Sequence, residues 1–153
     1  MMKFSMEENL ENTKIVLDAN IVIAYFSQKD PCHAQALLCS KLLENQLKVL
    51  NTLIVSEIAT VLLVKTKDKY LASQVVDKFI SNKYSKTRMY ACDSSLLRST
   101  SAIFKAFNDT KLSFQDCSII ALARKLKAHT IATFDKDLRK AFAHEFAFLP
   151  KSI

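Results

Sequence analysis

Four carboxylates in this chain stand in places where an acid is unexpected: Asp18, Glu57, Asp116 and Asp135. Asp18 abruptly ends the apolar run of the segment Lys-Ile-Val-Leu-Asp-Ala-Asn, residues 14–20. Glu57 falls three residues after Ile54 and four before Val61, in line with the stripe Leu53, Ile54, Ile58, Val61 and Leu62 of a helix. Asp116 sits three, four and seven residues before Ile119, Ile120 and Ala123, and Asp135 follows the apolar segment His129 to Thr133. Carboxylates brought together repel one another, and a hard divalent cation neutralises them. An all-oxygen donor set favours Mg²⁺ or Mn²⁺ over zinc. Such a metal site, with open positions, suits hydrolysis of a phosphodiester.

Each acid also has a plainer reading. Asp18 and Asn20 are both good helix caps. Glu57 can lie at the flank of its stripe and reach water or a lysine. Ser113 and Asp116 have the S-x-x-D spacing of a capping box. The choice depends on the elements that carry these residues.

Ile15, Val16 and Leu17 have the composition of a strand buried on both faces, and the apolar residues 21–26 that follow read as a helix. Asp18 and Asn20 therefore occupy a strand-to-helix corner. Asp30-Pro31 is a cap and first-turn pair before a helix through Ala34, Leu37, Leu38, Leu42 and Leu43, extending to about Gln46. A short strand at 48–50 leads through Asn51 or Thr52 into the helix of Glu57. Asp68 caps the next helix, through Leu71, Val75, Val76 and Phe79, and residues 88–92 form a third strand. Asp93 caps a helix closed by Asn108, Asp109 and Thr110, and the helix of Asp116 feeds the strand 129–133. A last helix and a short apolar segment, 146–149, complete the pattern.

This alternation implies an α/β fold with a mostly parallel sheet and right-handed crossovers. In a parallel sheet Asp18 and Asp135 end strands at one edge. The helix of Glu57 leaves that edge, and the helix of Asp116 begins there because its far end feeds the fourth strand. Four acids from remote segments are thus expected at the carboxyl edge, where open α/β sheets bind ligands.

The totals agree. At 153 residues and 50% apolar content the chain is sized for one core. A flexible segment is expected over 1–13 and one domain over 14–153. The net charge of +7 favours a polyanionic partner, with Arg124, Lys136 and Arg139 as candidate RNA contacts. Cys32, Cys39, Cys92 and Cys117 show no zinc spacing and read as buried reduced thiols, with Cys32 and Cys39 on one helix face. No signal peptide is evident and no apolar run approaches the roughly 18 residues of a membrane span, so a soluble, cytoplasmic protein without a membrane partner is expected. The chain contains no glycine, which excludes Gly-rich phosphate loops and leaves Asn, Asp, Lys and His to make its turns. His33, His129 and His144 are not spaced as ligands, and no histidine completes a triad with Ser113.

Four segments in order carry a resemblance: residues 14–20, Ser56-Glu57 in its apolar helix, Leu-Ser-Phe-Gln-Asp-Cys-Ser-Ile-Ile-Ala-Leu-Ala at 112–123, and Ile-Ala-Thr-Phe-Asp-Lys-Asp-Leu at 131–138. Together they resemble the motifs of PIN domains, metal-dependent ribonucleases, over nearly the whole chain from Lys14. The resemblance implies a three-layer α/β/α sandwich and one or two Mg²⁺ or Mn²⁺ ions held by Asp18, Glu57, Asp116 and Asp135. It makes Asn20 and Thr133 hydrogen-bonding support and Asp137 an auxiliary acid. Ala19 stands where the family often has Thr or Ser. A small stand-alone PIN domain is most similar to VapC toxins of toxin-antitoxin pairs, which implies an endoribonuclease acting on RNA, a homodimer and a small antitoxin partner. The alternatives are a housekeeping RNA-processing nuclease and a non-catalytic PIN-like module that binds RNA or protein. Retention of the whole acidic set argues against mere RNA binding, since a binder would gain by losing negative charge from its groove.

Overall fold

The computed structural model describes residues 14–107 and 111–153. The expected tail 1–13 and the turn at Asn108, Asp109 and Thr110 lie outside the described residues. Among the described residues five strands form one parallel sheet: β1 (Lys14–Leu17), β2 (Leu47–Asn51), β3 (Thr87–Tyr90), β4 (Thr130–Ala132) and β5 (Ala147–Leu149), in the order β3-β2-β1-β4-β5. Seven helices connect them among the described residues: α1 (Ala19–Phe26), α2 (His33–Leu43), α3 (Thr52–Thr66), α4 (Lys69–Ile80), α5 (Ser94–Ala106), α6 (Phe114–Leu126) and α7 (Lys136–Ala141). The result is an α/β/α sandwich.

The central strands are apolar because both faces are covered. Ile15, Val16 and Leu17 of β1 are buried, and Val16 is in register with Val49 of β2 on one side and Ile131 of β4 on the other. Helix α6 packs on β1 and β2, α3 on β2, and α5 on α6. One contiguous core runs from Ile15 to Phe146. No helix among the described residues is long and apolar enough to cross a membrane.

Side-chain caps set five helix starts, whereas Asp30, expected to cap α2, accepts the N–H of Cys32 and the helix begins after it at His33. Asn51, Asp68, Asp93, Ser113 and Asp135 each accept a backbone N–H from the first turn of α3, α4, α5, α6 and α7. With no glycine available, left-handed positions fall on Lys67, Asn82, Lys86 and Lys127, with φ between 51° and 55°. Lys67 and Lys127 terminate α3 and α6.

Three details depart from expectation. The apolar segment near the C-terminus is a fifth parallel strand, β5, made legible only by its pairing with β4. Helix α2 ends at Leu43 and packs through Ala36, Cys39 and Leu43, while Leu38 and Leu42 are 63% and 66% exposed. The inward row packs α2 against α1, and Leu38 and Leu42 are left outside. Cys32 precedes α2 and so shares no helix face with Cys39; all four thiols are free, Cys39 and Cys117 buried and the other two partly so.

Candidate active site

At the carboxyl edge β1 and β4 lie side by side, and the chain leaves them toward opposite ends of the sheet. This is a topological switch point, where the two departing loops part and open a crevice. Asp18 follows β1 directly and is 4% exposed. It stands at the cap position of α1 yet makes no side-chain cap bond. Its Oδ2 instead accepts the Thr133 hydroxyl at 2.6 Å and the Asn20 amide Nδ2 at 3.2 Å.

Those two partners join the β1 and β4 corners. Asn20 Nδ2 also donates to Thr133 Oγ1 at 3.2 Å, and Asn20 Oδ1 accepts the Phe134 N–H at 3.1 Å. Thr133 Oγ1 further accepts the Asp135 N–H at 3.0 Å. The expected supporting roles of Asn20 and Thr133 thus correspond to direct contacts, and Asp18 is the residue they hold.

Asp116 and Asp135 cap their helices and also line the cleft. Asp116 Oδ2 accepts the Ser113 N–H at 2.8 Å, closing the capping box, and Asp135 Oδ1 accepts the N–H groups of Asp137 and Leu138 at 2.8 and 3.0 Å. In both residues the cap bonds end on one carboxylate oxygen and leave the other outside them. Glu57 is half-buried on the inner side of α3.

A cleft of about 250 Å³ is lined by Asp18, Asn20, Glu57, Asp116 and Asp135, together with Asp30, Val61, Lys65 and Phe134. A larger cavity of about 470 Å³, walled largely by apolar side chains such as Phe26, Phe79 and Tyr84, contains none of the four acids. Among the described residues no three His, Cys, Asp or Glu side chains gather closely enough to hold a metal ion. The four acids therefore share a cleft without closing on one point, three of them held by hydrogen bonds at their own corners.

The electrostatics record that crowding. Burial, supplemented by the charges of Asp116 and Glu57, pushes the Asp18 carboxyl up to about 7, against the lowering effect of the Thr133 hydroxyl and the Ala19 N–H. Glu57 is raised by burial and then by Asp116. Asp116 is raised by burial and by Asp135 and Asp137, although its bonds to Ser113 oppose this. Asp137 is exposed and touches the cluster through its charge.

Sequence reasoning named Asn51 and Asp30 only as helix caps and passed over Lys65 at this site. Asn51, fully buried, caps α3 through Oδ1 and donates through Nδ2 to Ser118 Oγ at 3.0 Å, locking the helix of Glu57 to the helix of Asp116. Asp30 and Lys65 form an ion pair of 2.7 Å at the cleft. Burial alone would raise Asp30, but the Lys65 ammonium and the Cys32 N–H bring it below its ordinary value. Lys65 had a signal in its spacing, two steps of four residues beyond Glu57 along the helix.

The candidate RNA-contacting residues are placed as follows. Arg124 forms a two-pronged pair with Glu145, at 2.8 and 2.9 Å. Arg139 donates to the carbonyls of Thr133 and Pro150, at 2.7 and 2.6 Å. Lys136 is exposed at the start of α7, next to Asp135. His129 and His144 are exposed, and His33 Nδ1 bonds the Ala24 carbonyl at 2.7 Å.

A parallel α/β/α sheet with an acidic cleft at its switch point defines the class of protein. The chain belongs to the PIN domain family, whose sequence model matches residues 15–142. Among solved structures it is similar to VapC20 of Mycobacterium tuberculosis, described as a sarcin-ricin loop cleaving toxin, with a TM-score of 0.69 and 18% identity over 83% of this chain and 94% of that one. FitAcB of Neisseria gonorrhoeae gives a TM-score of 0.60 and 22% identity over 90% of this chain and 97% of its own. VapBC2 of Rickettsia felis, bound to a DNA fragment from its promoter, gives 0.61 and 16% identity over 89% and 97%. At these identities the likeness establishes the fold. No curated protein matches the chain in sequence.

Proposed function

We propose that this protein is a divalent-metal-dependent endoribonuclease and the toxin of a toxin-antitoxin pair. The observation that carries the reading is the buried carboxylate of Asp18, held by Thr133 and Asn20 in a cleft that Glu57, Asp116 and Asp135 also line. A protein built for stability alone would keep these acids apart, because Asp116 raises Asp18 and Glu57, Glu57 raises Asp18, and Asp135 raises Asp116. The donor set fits a hard cation by its chemistry: it is all carboxylate, and the cap bonds of Asp116 and Asp135 each end on one oxygen and spare the other. Asp18, Glu57, Asp116 and Asp135 would hold one or two Mg²⁺ or Mn²⁺ ions. When bound, such an ion supplies Lewis acidity toward a phosphate oxygen and a water that ionises near neutral pH.

The chain's own residues do the rest. Thr133 and Asn20 fix the orientation of Asp18, and Asn51 fixes the angle between the helices of Glu57 and Asp116. The net positive charge draws an RNA strand toward a cleft that would otherwise repel it. The toxin reading is supported by the VapC20, FitAcB and VapBC2 likenesses, and by extension a small antitoxin is the partner, the toxin acting as a homodimer in the cytoplasm. Cleavage of an RNA pool in ¹⁸O-water with Mn²⁺ tests the activity. Direct attack by water places the label on the phosphate at the new end, with no cutting in excess EDTA. Cyclic phosphate ends, a trapped enzyme-RNA adduct, or undiminished cutting in EDTA would overturn the proposal.

A further inference from the structure

Among the described residues one cation lines the acidic cleft. Five of its lining residues, Asp18, Asp30, Glu57, Asp116 and Asp135, carry carboxyl groups, and Lys65 carries an ammonium. Lys65 reaches the cleft for the same reason as Glu57: with a spacing of four, Glu57, Val61 and Lys65 form one row along α3. At about 1.5 Å per residue the backbone of Lys65 lies about 12 Å beyond that of Glu57. Its long stem leans back toward the start of the helix, which is toward Glu57.

The ammonium is held but not enclosed. Its Nζ donates to Asp30 Oδ2 at 2.7 Å, while Asp30 Oδ1 is independently fixed by the Cys32 N–H at 2.8 Å. The Asp30 side chain is 9% exposed and that of Lys65 43%. An ion pair open to water on one side contributes at most about 1 kcal/mol, so the fold gives little reason for a lysine there. An ammonium has three donors, and Asp30 takes one of them.

We infer that Lys65 binds a backbone phosphate of the RNA strand, flanking the phosphate at Asp18, with Asp30 holding the ammonium in place between substrates. This rests on the nuclease reading and adds to it a direction for the strand, along the α3 row from Glu57 to Lys65. A strand entering a cleft of five carboxylates is repelled by each of them, and Lys65 is the counter-charge that the chain itself places there. For a stacked strand, which rises about 3.4 Å per nucleotide, the row of about 12 Å spans about three to four nucleotides.

The test uses the full chain and a labelled single-stranded RNA dodecamer. Binding is read by fluorescence anisotropy in an Asp18→Asn background with Mn²⁺, so that no strand is cut. Adding Lys65→Met should raise Kd about ten-fold, as for the loss of one charge-assisted contact, and reduce the steepness of the log-log salt dependence by about 0.7. Lys65→Arg should restore both. In the cutting protein Lys65→Met should raise KM by a similar factor with kcat within about two-fold, and the difference should shrink on a trinucleotide too short to span the row. If Lys65→Met fails to fold, Lys65→Gln keeps a donor for Asp30 and carries the same expectation for the salt dependence. A dodecamer Kd and salt slope equal to those of the parent would overturn the inference, as would a loss confined to kcat. If the wild type cuts no RNA yet binds it with the Lys65 dependence, the nuclease reading falls and the phosphate site stands. Cutting with a Lys65-independent KM and slope overturns the phosphate site alone.

Discussion

Asp18→Asn should stabilise the metal-free protein, and the structure gives the size and the pH dependence of the effect. Burial and the neighbouring acids push this carboxyl from an ordinary value of 3.8 to about 7. At roughly 1.4 kcal/mol per pH unit, that interval corresponds to about 4 kcal/mol opposing ionisation in the folded state. Below about pH 4 Asp18 is protonated whether the chain is folded or not, and it contributes no pH dependence. Between about pH 4 and pH 7 the unfolded chain gives up the proton while the folded chain keeps it. Stability therefore falls as pH rises through this window and levels off above the folded value. Both hydrogen bonds from Thr133 and Asn20 end on Oδ2, so an amide with its oxygen in that place keeps both. Urea unfolding of both proteins in a chelator, at intervals from about pH 4 to pH 8, should show them equal at the acid end and the variant more stable by up to about 4 kcal/mol at the other. A variant equal to or less stable than the wild type near pH 8, or a difference that does not change with pH, would refute the reasoning.

Other expectations follow from single contacts. Thr133→Val removes the hydroxyl that donates to Asp18 and accepts from Asn20 and Asp135; it should lower stability by about 1 to 3 kcal/mol in urea titrations. Asn51→Ala removes a buried cap and the bond to Ser118, and should lower the unfolding free energy by about 2 kcal/mol and reduce cleavage through Glu57 and Asp116. Lys127→Gly relieves a side chain at φ 55° at the end of α6, and a rise in stability of up to about 1 kcal/mol by thermal or urea unfolding is expected.

What could be read from the sequence was set by local signals. Asp18 stood out because an apolar strand ends in it, and the alternation of elements then carried the other three acids to the same edge. The capping box at Ser113 and Asp116 was legible from spacing, and Asp116 closes the box through one oxygen while lining the cleft. Asn51 was visible as a cap but not as a bridge, because Ser118 is 67 residues away. The partners of Arg124 and Arg139, namely Glu145 and the carbonyls of Thr133 and Pro150, come together only in the tertiary fold. Strand β5 has three residues, none of them β-branched, and its identity depends on the neighbouring β4. The exposed leucines of α2 could not be told from core by periodicity, since the row Ala36, Cys39 and Leu43 has helical spacing too.

The most direct test of the central claim, that the cleft acids act together on RNA through a divalent cation, is the cleavage rate of a defined RNA as a function of Mn²⁺ concentration for the wild type and for Asp18→Asn. The account predicts a rate that is absent in EDTA and saturates with Mn²⁺ in the wild type. For Asp18→Asn it should be abolished, or recovered only at much higher Mn²⁺. Cleavage that is independent of Mn²⁺, or the same saturation curve for both proteins, would contradict it.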